Sequence, residues 1–249
     1  KSTTWRNRED LFQSPPVVVH APRVITLSPA WYAVGHSSEH FPLSASSSFR
    51  DRTGDQAFIW FSHHIELLAV LSGVLRIVHP EQYHLGDMAL DRILGRTERI
   101  TDIDLVHTLI KEWGIPFTCL SVIVNRSTPP HRDQGGRTSW FDTCATFGNY
   151  TSGWFEMPDF RIRCFYVPGC VVMLLSKMIT HQVDAVHGDR AAFLLFSKNA
   201  VHHGLVLPPD NWSKLSLISI RKFCSKTSTV PCDCFPCQFS ANSTTTTTT

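Results

Sequence analysis

The sequence contains no uninterrupted run of the roughly 18 to 20 apolar residues that a helix needs to cross a bilayer. Its opening, "KSTTWRNRED", also lacks the apolar core of a secretory signal. No membrane contact is expected, and an intracellular compartment is. Neither sign of charge dominates: 23 basic residues against 21 acidic give +2, so any contact with nucleic acid must come from a local patch. Charged residues make up only 18% of the chain, too few to keep it disordered by self-repulsion. What is present instead is apolar and aromatic. Hydrophobic residues reach 43%, with 16 Phe and 7 Trp among 249 residues, enough to bury one sizeable core in a single domain with decorated ends.

The eight cysteines are unevenly placed. Cys119, Cys144, Cys164 and Cys170 lie in apolar segments and are expected to be buried thiols. Cys224, Cys232, Cys234 and Cys237 crowd the tail, where four thiolates can satisfy a structural zinc ion. Their spacing is not two clean Cys-x2-Cys pairs, and a flexible, oxidisable tail is the other reading. Four Asn-x-Ser/Thr triplets, at Asn125, Asn149, Asn211 and Asn242, arise easily by chance in a chain rich in Ser and Thr.

Texture divides the chain into three parts. Residues 1–55 are rich in Pro, Ser and Arg and read as an extended arm, with a strand at "VVVH", 17–20. Residues 56–225 form one domain, with helices over 56–114 and strands over 115–200. The apolar stretch 55–80 reads as one buried helix, and a second runs from about 80 to 95 behind Pro80. A third spans 101–114, with a Thr cap, acids in its first turn and a terminal glycine. His63 and His64 lie in the first helix as core or boundary residues. After Gly114 come short β-branched or aromatic runs, among them "FTCLSVIV", "SWFDTCATF", "GWFEMP", "CVVMLLS" and "RAAFLLFS", separated by Pro, Gly, Asn and Asp. Seven or eight such strands predict an antiparallel sandwich or barrel, and helices followed by strands make the class α+β. Residues 226–249, Cys- and Thr-rich, have no means of forming a core and are expected to be disordered. The segment 214–226 carries Lys214, Arg221, Lys222 and Lys226 without an acid, which suits either a phosphate-binding strip or a solvated strand face.

The chemistry-bearing stretch is "STPPHRDQGG", 127–136. Ligands two residues apart on an extended strand point to one side, so His131 and Asp133 can reach a single ion while Arg132 points away. Two histidines and one carboxylate on one face hold Fe(II) and leave open positions for a cosubstrate and oxygen. His181 is the candidate second histidine, and Arg190, nine positions later at the start of an apolar strand, can grip the far carboxylate of a dicarboxylate cosubstrate. Bland readings stand beside each: a solvated turn for His131 and Asp133, and an ion pair with Asp184 or Asp189 for Arg190. His187, His202 and His203 compete with His181; the latter two lack a following arginine at comparable spacing and are expected to cap a strand end or face solvent.

With these residues in place the chain resembles the Fe(II)/2-oxoglutarate-dependent dioxygenases, whose fold is a double-stranded β-helix of jelly-roll or cupin type, here with N-terminal buttressing helices. The stretch "PPHRDQGG…FGNYTSGWFEMPDFRIRCFYVPGCVVMLLSKMITHQVDAVHGDRAAFLLF" is most similar to the TET/JBP group as it occurs in fungi. That group oxidises the methyl of 5-methylcytosine or thymine in nucleic acid. The resemblance covers about residues 115–200 and implies Fe(II), 2-oxoglutarate and O2 as reactants. His131, Asp133 and His181 become the catalytic iron ligands, and Arg190 binds the cosubstrate. DNA is the implied partner and the nucleus the implied compartment. Two positions depart from the group's pattern: Cys170 replaces an acidic residue after "PG", and Gly136 stands where an Asn often helps to hold the base. A base in duplex DNA must be flipped out and stacked, for which Trp140, Trp154 and Phe155 are candidates. The alternatives are a 2-oxoglutarate oxygenase acting on a protein side chain or small molecule, and a catalytically silent β-barrel binding module.

Overall fold

Helix formers precede strand formers along this chain, and the two layers they build remain distinct in space. The computed structural model describes residues 5–13, 18–33, 35–36, 39–52, 54–96 and 98–209. The tail cysteines Cys224, Cys232, Cys234 and Cys237, the basic segment 214–226, Asn211 and Asn242 lie outside the described residues. In chain order the strands are β1 (Arg23–Leu27), β2 (Cys119–Val124), β3 (Thr128–His131), β4 (Asp142–Thr151), β5 (Trp154–Met157), β6 (Ile162–Phe165), β7 (Val171–Leu174), β8 (His181–Val183) and β9 (His187–Phe196). The helices are α1 (Ser47–Arg50), α2 (Gly54–His63), α3 (Ile65–Val78), α4 (Pro80–Leu94), α5 (Ile103–Trp113) and α6 (Asn199–Gly204).

The apolar stretch expected to form one helix is a bent pair instead, with α2 and α3 meeting at 64°. The break falls at His64, whose backbone leaves the helical region at φ −107° and ψ 5°. Its ring Nδ1 bonds the Trp60 carbonyl at 2.7 Å and its face stacks on the Trp60 ring, contacts that reward the kink. His63 is exposed. Pro80 opens α4, where its missing N–H costs nothing, and the His79 ring accepts the Gln82 N–H. At α5 the cap is Asp102 rather than Thr101: its carboxylate accepts the Leu105 N–H, and Gly114 at φ +55° ends the helix. Among the described residues no single helix is long and apolar enough to cross a membrane.

The strands form two antiparallel sheets, ordered β1-β2-β9-β4-β7 and β3-β8-β5-β6, the double-stranded β-helix architecture. The strand expected at 17–20 is displaced: Val18–His20 are not in a strand, and Arg23–Leu27 pairs with β2 instead. Helices cover the five-stranded sheet. Phe61, Leu68, Leu71 and Trp113 join Leu120, Ala145, Phe193 and Leu195 in the principal core, where Trp113 lies flat on Phe61 at 4.5 Å. A second cluster of Phe155, Tyr166, Leu174 and Val183 ties the two sheets together. Burial of the internal thiols is only partly as expected: Cys119 is buried, Cys144 and Cys170 are half-buried, and Cys164 is exposed on the edge strand β6. An edge strand needs only one covered side, so an apolar run there does not imply burial.

Candidate metal centre

β3 and β8 pair so that His131 stands directly opposite His181. Cross-strand neighbours on one face lie close enough for their side chains to converge, and here the ring centroids are 4.2 Å apart. Asp133 follows just past the end of β3, fixed by its backbone N–H on the Ser176 carbonyl at 3.0 Å. Its carboxylate reaches back to both rings, with Oδ1 3.8 Å from His131 Nε2 and Oδ2 3.7 Å from His181 Nε2. One ligand atom from each of the three residues lies within 4.8 Å of the others. Arg132 points away, to Thr180 Oγ1 and Asp159.

The hydrogen bonds behind the rings decide what the front can do. His131 Nδ1 bonds the Pro129 carbonyl at 2.8 Å and His181 Nδ1 bonds the Ile179 carbonyl at 3.1 Å. A carbonyl can only accept, so each Nδ1 carries the proton and each Nε2 presents a lone pair toward Asp133. Burial, and then the neighbouring His181, hold His131 below the ordinary histidine range, which keeps it neutral and able to ligate. Phe155, buried in the second core, lies nearly parallel to the His181 ring at 5.9 Å. Two neutral imidazole nitrogens and one carboxylate, backed by second hydrogen bonds, fit Fe(II).

Arg190 sits on β9, 4% exposed, opposite Gly148. Gly148 has φ +125°, and a Cβ there would fall 2.1 Å from the Asp189 carbonyl, so the close approach of β4 to β9 requires glycine. The expected ion pairs of Arg190 do not form. Asp184 offers its backbone carbonyl, at 3.3 Å, while Asp189 is taken by the Val19 and His20 N–H groups and by Asn125. The second acceptor is the Arg126 carbonyl.

Arg126 itself was not legible as a site residue. It is 5% exposed, its Nε finds no partner among the described residues, and burial, with Arg6 and Arg190 adding to it, pushes its pKa down to about 10. Asp133 acts on the same guanidinium in the opposite sense, raising its pKa, so Arg126 is within electrostatic reach of both the triad and Arg190. A buried guanidinium nitrogen without an acceptor, next to a second buried cation bonded only to backbone carbonyls, fits a small dicarboxylate. Two further residues near the triad come from the far end of the chain: Trp5, 4.5 Å from the His131 ring, and Arg6, bonded to Asp133. Of the aromatic residues considered for stacking, Trp140 and Phe155 belong to the interior, while Trp154 is half-buried under Phe165 and Arg163. His202 is buried in α6 rather than facing solvent.

Asp142, at the start of β4, is buried behind the site and bonds the Ser176 hydroxyl. Burial, and to a lesser degree the nearby Asp133 charge, push its pKa up to about 8, against 3.8 when free. Between these two values the unfolded chain has released a proton that the folded chain retains, so this group's contribution to stability falls as pH rises through that window. Asp142→Asn keeps the shape and removes the titration. The stability of the variant relative to the wild type is therefore expected to rise from pH 4 to pH 8 and level off above, as urea unfolding at several pH values will measure.

A double-stranded β-helix that brings two histidines and one carboxylate together at the mouth of paired strands defines the class of mononuclear iron oxygenases. The chain belongs to the Tet/JBP family: the model of that family, the oxygenase domain of the 2OGFeDO superfamily, matches residues 31–218. The matched segment is accordingly a domain of the 2-oxoglutarate- and Fe(II)-dependent dioxygenase type. Among solved structures it is similar to NgTET1 in complex with 5mC DNA, with a TM-score of 0.51 at 12% sequence identity. The likeness covers 72% of this chain and 62% of NgTET1, and at that identity it speaks to the fold. No curated protein matches the chain in sequence.

Proposed function

We propose that this domain oxidises the methyl group of a modified base, 5-methylcytosine or thymine, in nucleic acid, with His131, Asp133 and His181 as the iron ligands and Arg190 as the anchor of 2-oxoglutarate. The observation that carries the reading is the opposed register of His131 and His181 with Asp133 facing both Nε2 atoms. Bound iron and 2-oxoglutarate would supply the oxidising power: one atom of O2 enters the C–H bond, the other enters succinate, and carbon dioxide is released. The chain's own residues bind and orient. The carbonyls of Pro129 and Ile179 keep the Nδ1 protons and aim the Nε2 lone pairs, and Phe155 shields the His181 face from water. Arg190 and Arg126 offer the buried positive charge on which a dicarboxylate can align.

The substrate class rests on family membership and on the DNA-bound relative of the same fold. Gly136 provides no side chain where related enzymes often use an amide, and a Cβ there would meet only the Ser197 carbonyl at 3.7 Å. A larger residue would be accommodated at that position. The test is incubation of the full chain with Fe(II), 2-oxoglutarate and oligonucleotides, DNA and RNA, with and without 5-methylcytosine, read by mass spectrometry of the nucleosides. Gain of one oxygen on a base methyl with matching succinate is the expected result. Succinate formation that no oligonucleotide stimulates, with the bases unchanged, would overturn the nucleic-acid reading in favour of a protein or small-molecule substrate.

A further inference from the structure

Segment 5–13 is tied to the site by its own hydrogen bonds. The Ser127 N–H bonds the Leu11 carbonyl at 2.9 Å and the Gln13 N–H bonds the Asn125 carbonyl at 2.8 Å, so Leu11–Gln13 runs as an extra edge beside the residues that lead into β3. Phe12 and Arg126 bridge in the same register. Two single turns, Trp5–Asn7 and Glu9–Leu11, then carry the chain back over the metal centre. Trp5 lands with its ring 4.5 Å from the His131 ring and with the guanidinium of Arg126 5.2 Å from its centroid. Arg6 lies over the same indole at 4.5 Å and extends Nη2 to Asp133 Oδ1 at 2.7 Å.

That bond engages one carboxylate oxygen. Three protein donors would leave a bound ion open positions for 2-oxoglutarate and O2, and a carboxylate that bound through both oxygens would take one of them. We infer that Arg6, seated on Trp5, is a positioning residue that holds Asp133 Oδ1 and so confines Asp133 to coordination through one oxygen. The inference rests on the assignment of His131, Asp133 and His181 as iron ligands. Arg6 acts through Asp133, the group it bonds. Its side chain is 47% exposed against 21% for that of Asp133, so the pair sits at the rim of the site where solvent weakens it, and the effect of its loss is correspondingly moderate.

The test is anaerobic titration of the full-length chain, wild type, Arg6→Ala and Arg6→Lys, first with Fe(II) alone and then with 2-oxoglutarate, following the visible band of the chelate. Arg6→Ala is expected to bind the metal as tightly as the wild type, because the freed oxygen adds a bond, and to bind 2-oxoglutarate on the order of tenfold more weakly, because that oxygen competes for a position the cosubstrate needs. Arg6→Lys, which keeps a donor and a charge, is expected to recover most of that loss. Identical 2-oxoglutarate curves for wild type and Arg6→Ala overturn the inference. So does a parallel loss of metal binding and thermal stability, which would make Arg6 merely structural. A wild type that binds no metal at all defeats the underlying ligand assignment, a result distinct from either.

Discussion

Alanine at His131 or at Asp133 is expected to abolish 2-oxoglutarate turnover and to weaken Fe(II) binding by more than about two orders of magnitude, since loss of a group that only orients a ligand already costs 10- to 100-fold. Each replacement removes one of three donors, and the remaining two cannot hold the ion on a single face. The fold should survive both changes. His131 closes the short edge strand β3, Asp133 lies beyond it, and neither belongs to the two apolar clusters that hold the sheets and helices together. The measurement is a pair of titrations, metal affinity by calorimetry under anaerobic conditions and succinate release under air, with circular dichroism as a check on folding. The His181→Ala variant should behave alike. Turnover above background in His131→Ala or Asp133→Ala would show that the half-site is assigned to the wrong residues, and turnover in His181→Ala alone would put His187 in its place.

The half-site was legible because its logic is local. A spacing of two puts His131 and Asp133 on one side of an extended chain; in the structure His131 ends β3 and Asp133 follows just past it, and the carboxylate still faces both rings. The partner across the sheet was legible only through pattern, since His131 and His181 meet through a register that no local propensity encodes. β3 itself was hidden. Its sequence, Thr-Pro-Pro-His, has two residues that cannot donate to a ladder, yet the strand lies at the edge of its sheet, where prolines are tolerated. β8 has only three residues, too few to show alternation.

Composition also misled where a contact decided the outcome. Residues 55–79 carry no proline, and Gly73 lies inside α3 rather than at the break; the kink at His64 comes with a ring that bonds and stacks on Trp60 one turn earlier. Trp5, Arg6 and Arg126 gave no signal because their roles depend on a segment that folds back over the site from 127 residues away. A lone arginine in a sequence ordinarily reads as a solvated surface residue, and only burial and surroundings separate Arg126 from that background.

Replacement of Arg190 should separate cosubstrate binding from metal binding. The guanidinium is 4% exposed and bonds backbone carbonyls of Asp184 and Arg126, so its positive charge is not neutralised by a carboxylate partner among the described residues. Burial lowers its pKa, but an arginine starts high enough to remain charged. A buried cation in that state gains most from an anion that arrives with its own carboxylate, and a charge-assisted bond of this kind contributes about 1.5–3 kcal/mol, or a factor of roughly 10 to 150. Arg190→Met, which preserves much of the volume, is therefore expected to weaken 2-oxoglutarate binding by about 10- to 100-fold and to leave Fe(II) affinity nearly unchanged, because the ligands stand on β3, just beyond it and on β8 rather than on β9. Arg190→Lys should recover only part of the loss, as a single ammonium cannot match the two-pronged geometry. The discriminating probe is a 2-oxo acid without the distal carboxylate: wild type and Arg190→Met should bind it with equal, weak affinity. If the variant binds that shorter acid less well too, the arginine is holding the Asp184 and Arg126 carbonyls in place rather than the cosubstrate. If 2-oxoglutarate binding is unaffected, the anchoring charge must be that of Arg126, whose unpartnered Nε lies buried beside it.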